Sequence, residues 1–139
     1  MAITYTNNFY TYIITPLDKI IQDEFEGVQI TYDVPSGDEY FSVVPTSDEL
    51  LGLRGSGQVR EYSVQITYTY KQGAEYQKDV QLQHLANVAE RFKRLMWNNT
   101  DTSNWFDGRV DSISYEQDDD AKENFKTVIE CSFSREEVI

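Results

Sequence analysis

The side chains that could move protons, bind metals or attack a substrate are few in this chain of 139 residues, and their spacing offers little chemistry. His84 is the only histidine and Cys131 the only cysteine. A general base needs an acid or nucleophile placed against it, and a triad needs a third group to orient the base. No local pattern around His84 supplies them. One histidine and one cysteine also fall short of the four ligands of a structural zinc site. His84 is therefore expected on a helix surface or at an interface. Cys131 lies in an alternating apolar run and is expected as a small buried hydrophobe. A single cysteine excludes a disulfide framework within the chain and is compatible with a reducing cytosol.

The densest set of oxygen donors is Glu116, Asp118, Asp119 and Asp120. Clustered carboxylates attract hard divalent cations, but the donor spacing and glycine of a calcium loop are missing. A solvated acidic turn that discourages unwanted strand pairing is expected instead. Acids from separate elements can still converge as in a glycosidase, although nothing nominates a pair. Arg54-Gly55-Ser56-Gly57 lacks the Gly-Lys-Ser/Thr ending and the strand-to-helix context of a phosphate loop. Dinucleotide-binding spacing and the basic, aromatic strand of an RNA-binding sheet are missing too. No catalytic residue, cofactor or metal is expected, and the chain reads as a non-enzyme.

Twenty-four acidic against twelve basic residues leave a formal charge of -12. That balance disfavours long-range attraction to nucleic acid or anionic membrane, although an acidic wall can surround DNA without holding it. An apolar fraction of 40%, with 14% aromatic residues, supports one folded domain spanning 1–139. Ten tyrosines suit the margins of a core or a subunit interface. The opening MAITYTNN has neither the basic nor the apolar region of a leader, and no apolar run approaches membrane-spanning length. No secretion or membrane anchoring is expected.

The elements that must position these residues centre on Arg60 to Tyr70. Tyr62, Val64, Ile66, Tyr68 and Tyr70 alternate with polar residues, the period of a half-buried central strand. Tyr76 to Trp97 follows as a helix burying Val80, Leu85, Val88, Ala89, Phe92, Leu95 and Met96, with Arg91, Lys93 and Arg94 toward solvent in its last turns. Upstream, Asn8 to Glu26 reads as one helix kinked at Pro16, against a rival in which a shorter helix starts after Thr15 and Ile3 to Ile14 is extended. Gly27 ends it in either case. Val28 to Val34 and Tyr40 to Val44 form a hairpin, and Pro45 stops that ladder. Three glycines mark 45–58 as a flexible loop, with Leu50, Leu51 and Leu53 either folded back on the domain or covering a neighbour. Trp105 and Phe106, with Trp97, either cap the core or anchor a protein contact. Arg109 to Tyr115 and Asn124 to Phe133 make a terminal hairpin. The expected class is α+β, with a mixed or mainly antiparallel sheet, two principal helices and the order helix, hairpin, long strand, helix, hairpin.

In this order and size, the whole chain resembles the tail-terminator and head-to-tail joining proteins of tailed bacteriophages. The resemblance is carried by FYTYIITPLDKIIQDEF at Phe9 to Phe25, the section from Tyr40 to Tyr70, and LQHLANVAERFKRLM at Leu82 to Met96. It lies in element order, with no invariant chemical motif. It implies a virion protein assembled in the host cytoplasm and placed at the tail neck. There a ring, typically a homo-hexamer, would cap the tail tube and receive the head connector. DNA would pass through an acidic lumen without specific binding. Leu50, Leu51, Leu53, Trp105 and Phe106 are the interface candidates under that resemblance, and Asp118, Asp119 and Asp120 the candidates for the lumen or a partner-facing surface.

Overall fold

Five strands form one sheet in the order β1-β2-β3-β5-β4. They are β1 (Gln29–Thr31), β2 (Glu39–Arg54), β3 (Gly57–Lys71), β4 (Phe106–Gln117) and β5 (Asn124–Val138). The computed structural model describes residues 2–31, 39–71, 78–117 and 124–138, and leaves out the side chains of 71, 78–82, 117 and 124. The tyrosine-rich strand is the middle one, as its alternation requires. Tyr62, Val64, Ile66 and Tyr68 are buried opposite Phe133, Cys131, Ile129 and Thr127 of β5, and this face of the sheet holds the core. The fold is α+β, with every strand pair antiparallel except β1 with β2.

The N-terminal segment is continuously helical from Phe9 to Glu24, after a stretch without regular structure at 2–7. A π-helical stretch, Phe9–Ile14, runs directly into α1 (Thr15–Glu24). Pro16 has no N–H to close a normal turn, and the chain accommodates it by widening beforehand: the Thr15 N–H bonds the Tyr10 carbonyl, five residues back. The rival with an extended Ile3 to Ile14 is thereby excluded for the helical residues. Ile13, Leu17, Ile21 and Phe25 are buried, and Gly27 follows at φ 84°. The second helix, α2 (Lys78–Asn98), buries Leu85, Val88, Ala89, Phe92 and Met96, with Leu95 half-buried. Val80 lies outside the described side chains. Phe25, Phe41 and Phe92 pack together where α1, β2 and α2 meet.

Three expectations between Val28 and Gln58 are corrected. β1 does not form a hairpin with β2: it runs parallel to it, in the register Gln29 with Tyr40 and Thr31 with Ser42. Alternation reveals which face a residue occupies but not the direction of the partner strand. The expected residues 32–34 of that first strand, and the turn at 35–38, lie outside the described residues. Pro45 does not stop the ladder either. It sits within β2, opposite Val64 of β3 and beside a bulge between Pro45 and Ser47 that locally relaxes the ladder.

The expected loop at 45–58 is instead the distal half of a β2–β3 hairpin, paired as far as Arg54 with Gly57. Gly55 turns the chain at φ 49° and Ser56 completes a two-residue connection, the Gly-first order of a II′ turn. Gly57 is required by a close approach, since a Cβ there would meet the Glu137 carbonyl oxygen at 2.3 Å. The glycines therefore tighten a hairpin rather than loosen a loop. The expected terminal hairpin is present as β4 and β5, with Asp118, Asp119 and Asp120 outside the described residues.

Candidate functional site

The leucines ride on a strand. Leu50 lies opposite Arg60 and Leu53 opposite Gln58, with Leu51 at the bulge between Leu50 and Gly52. They are 50%, 77% and 54% exposed respectively, so none is folded back into the core. Polar contacts brace the arm that carries them. Arg60 Nε donates to Asp48 Oδ1 at 2.6 Å and its Nη1 to Gln58 Oε1 at 3.1 Å, while Gln58 Nε2 donates to Glu137 Oε2 at 3.0 Å. Val138 of β5, opposite Gly57, adds another exposed apolar side chain at the same tip.

The aromatic candidates separate. Trp105 is buried: its indole N–H donates to the Asn99 carbonyl at 2.8 Å and its ring packs on Phe133 at 4.6 Å. Gly108 lets it approach, since a Cβ there would meet the indole nitrogen at 2.6 Å. Trp105 therefore caps the chain's own core, leaving it no free surface for a partner. Phe106 and Trp97 are exposed. Asp118, Asp119 and Asp120 lie outside the described residues.

At the opposite end of the sheet, the end of α1, the start of β2, the end of β3 and the middle of α2 enclose a cleft of about 500 Å³. Its walls include Glu24, Glu26, Glu39, Tyr68, His84 and Arg91. The Tyr68 hydroxyl donates to Glu39, and the same oxygen lies 2.9 Å from His84 Nε2. His84 Nε2 is 3.5 Å from the Glu39 carboxylate, and the imidazole packs on Tyr70 at 4.3 Å between centroids. Burial, with the Glu39 hydrogen bond second, pushes the Tyr68 phenol far above its ordinary range, so it acts as a hydrogen-bond donor and not as a base. Arg91 already fills part of the cleft: it bonds Glu24 at 2.7 Å and sits 4.5 Å above the Phe25 ring.

This cluster went unrecognised in the sequence, although a signal was present. His84 precedes Val88 by four residues and so shares the buried stripe of α2, and a buried tyrosine needs a partner for its hydroxyl. Two further polar features sit apart from the cleft. Arg109 of β4 is ringed by Asp111 at 2.9 Å, Asp107 at 3.0 Å and Glu61 at 3.4 Å. Asp18 of α1 is only 8% exposed, and its Oδ1 has no hydrogen-bond partner among the described residues. Burial raises its carboxyl pKa to about 6.

The Cys131 thiol is buried and its pKa is pushed up chiefly by that burial, which suits a core residue and not a nucleophile. Among the described residues, no three His, Cys, Asp or Glu side chains are grouped to hold a metal ion, and no helix is long and apolar enough to cross a membrane. Compared with known proteins, the chain matches no family model, and no curated protein matches it.

Proposed function

We propose that this chain is a structural subunit of the tail neck of a tailed bacteriophage, a tail terminator. It would assemble as a homo-hexameric ring in the virion, cap the head-proximal end of the tail tube and offer its other face to the head connector. The observation that carries the reading is the braced β2–β3 arm, which holds Leu50, Leu51 and Leu53 in solvent at one end of the sheet. A monomer gains nothing from ordering three exposed leucines there, whereas a neighbour that covers them does. The element order and the acidic charge of -12 agree with the reading. A closed ring needs a heterologous contact repeated around its axis.

The strand edges indicate how that contact is made. Pro45 and two register shifts interrupt β2, and two register shifts likewise interrupt the edge strand β4. Interrupted edges resist continuous sheet extension between copies. Side-chain burial at the arm tip is the better-supported contact.

Replacing Leu50, Leu51 and Leu53 together by serine tests it. Full burial of a leucine is worth about 1.5–3 kcal/mol, so covering surfaces that are half to three-quarters exposed gives roughly 3–5 kcal/mol per interface, or about two to three and a half decades in affinity. Native mass spectrometry of the chain with added tail tubes should show ring formation for the wild type. The triple variant should keep its circular dichroism and lose the ring. A wild-type chain that stays monomeric and does not attach to tubes rejects the terminator assignment. A variant that still assembles removes the leucines from the interface.

A second reading, a small ligand-binding or enzymatic domain, is favoured by the cleft at Glu39, Tyr68 and His84. Thermal-shift screening of small polar ligands against the wild type and Glu39→Gln separates the two: stabilisation that disappears in the variant supports the second reading. Another neck ring, a tail-completion protein or a tube protein shares the structural class and would differ in which virion component it binds.

A further inference from the structure

The hydrogen-bond donors around His84 decide which of its ring nitrogens carries a proton. A phenol has one O–H, and Tyr68 gives its own to Glu39. Burial and that bond keep the phenol protonated. Toward His84 Nε2, at 2.9 Å, the Tyr68 oxygen can then only accept. Nε2 therefore carries hydrogen in the neutral ring as well as in the cationic one, and the second proton goes to Nδ1. Adding it leaves the bond to Tyr68 in place and brings a full positive charge to 3.5 Å from the Glu39 carboxylate.

We propose that Glu39, Tyr68 and His84 form a proton-operated latch between α2 and the sheet, holding by one hydrogen bond when the ring is neutral and by that bond plus an ion pair when it is charged. Glu39 starts β2, Tyr68 lies near the end of β3 and His84 belongs to α2, so the latch ties three elements. Among the described residues, the titratable and charged groups facing it are Glu39 from β2, Tyr68 and Tyr70 from β3, Asp23, Glu24 and Glu26 from the end of α1, and Arg91 from α2 itself. Arg91 is held by Glu24 and the Phe25 ring, which leaves the imidazole as the cation nearest Glu39 in that set. The added tie is present while the ring is charged and absent while it is neutral. The His84 and Glu39 side chains are 35% and 36% exposed, so solvent screens the pair, and the tightening expected is about twofold to fivefold in the local opening equilibrium.

Nuclear magnetic resonance of the full chain tests both halves of the proposal. The His84 ring nitrogens, followed from pH 8 to 5, should show Nε2 protonated throughout and Nδ1 titrating. Amide protection in α2 around His84, corrected for intrinsic exchange, should rise twofold to fivefold over that range relative to His84→Gln. Glutamine keeps an N–H for Tyr68 and cannot take the charge. A neutral ring protonated at Nδ1, or a His84→Gln chain whose protection follows the wild type across the range, overturns the latch. If His84→Gln does not fold by circular dichroism, Glu39→Gln serves in its place, because it keeps an acceptor for Tyr68 and removes the negative partner. Protection that still rises to the same extent in a folded Glu39→Gln chain likewise overturns it.

Discussion

Replacing Asp18 by asparagine should stabilise this protein at neutral pH and leave it unchanged in acid. Asp18 lies between Leu17 and Ile21 of the buried stripe, is 8% exposed and leaves Oδ1 without a hydrogen-bond partner among the described residues. Its carboxyl pKa is raised by burial from the ordinary 3.8 to about 6. The folded chain therefore holds this proton more tightly than the unfolded chain does. Between about pH 4 and pH 6 the folded state binds more protons, so stability falls as pH rises through that window and stays low above it. Two pKa units correspond to about 3 kcal/mol, and relaxation of the helix around the charge reduces that to about 1–3 kcal/mol.

Asparagine imitates the neutral carboxyl at every pH. Urea unfolding of both proteins at half-unit steps from pH 4 to 8 gives the comparison, and the difference between them cancels the titrations the two share. The stability difference should be near zero at pH 4 and grow to about 1–3 kcal/mol in favour of asparagine by pH 7.5. A difference that is flat with pH, or an asparagine variant weaker than the wild type at pH 7.5, would falsify the assignment of Asp18 as an unpaired buried acid.

Gly57→Ala should splay β3 from the end of β5, because its Cβ would meet the Glu137 carbonyl oxygen at 2.3 Å. A loss of about 1–3 kcal/mol is expected in denaturant unfolding, with amide protection at Glu136 and Glu137 lost first. Trp105→Phe removes the indole bond to the Asn99 carbonyl and part of the ring that packs on Phe133, and should lower unfolding stability by about 2 kcal/mol. Equal stability would move Trp105 out of the core cap.

Regular alternation and helical spacing were legible wherever one face of an element meets the core. Tyr62 to Tyr68 named the central strand, and Leu85 to Met96 named the buried stripe of α2, because burial imposes the period directly. The direction of β1 was not legible: three residues carry no polarity in their side chains, and pairing depends on which edge is open. Pro45, Gly52, Gly55 and Gly57 misled for another reason. Each punctuates a chain locally, yet beside a bulge, in a tight turn and at a close approach they are compatible with a long hairpin. The cleft escaped because Glu39, Tyr68 and His84 are far apart in sequence: the β2–β3 register brings the first two together, and the packing of α2 on the sheet adds the third. Leu50, Leu51 and Leu53 are exposed, but the strand that carries them was misread as a loop.

That support changes the entropy of any association at the arm tip. Ordering a flexible segment on contact would cost about 1–2 kcal/mol per residue in backbone freedom, on the order of 10 kcal/mol or more over 45–54. In β2 that freedom is already lost when the hairpin folds, and the ladder to β3 offsets it there. A partner meeting Leu50, Leu51 and Leu53 would have only their side chains to immobilise, so less is subtracted from the gain of covering them than if the backbone had to be ordered as well.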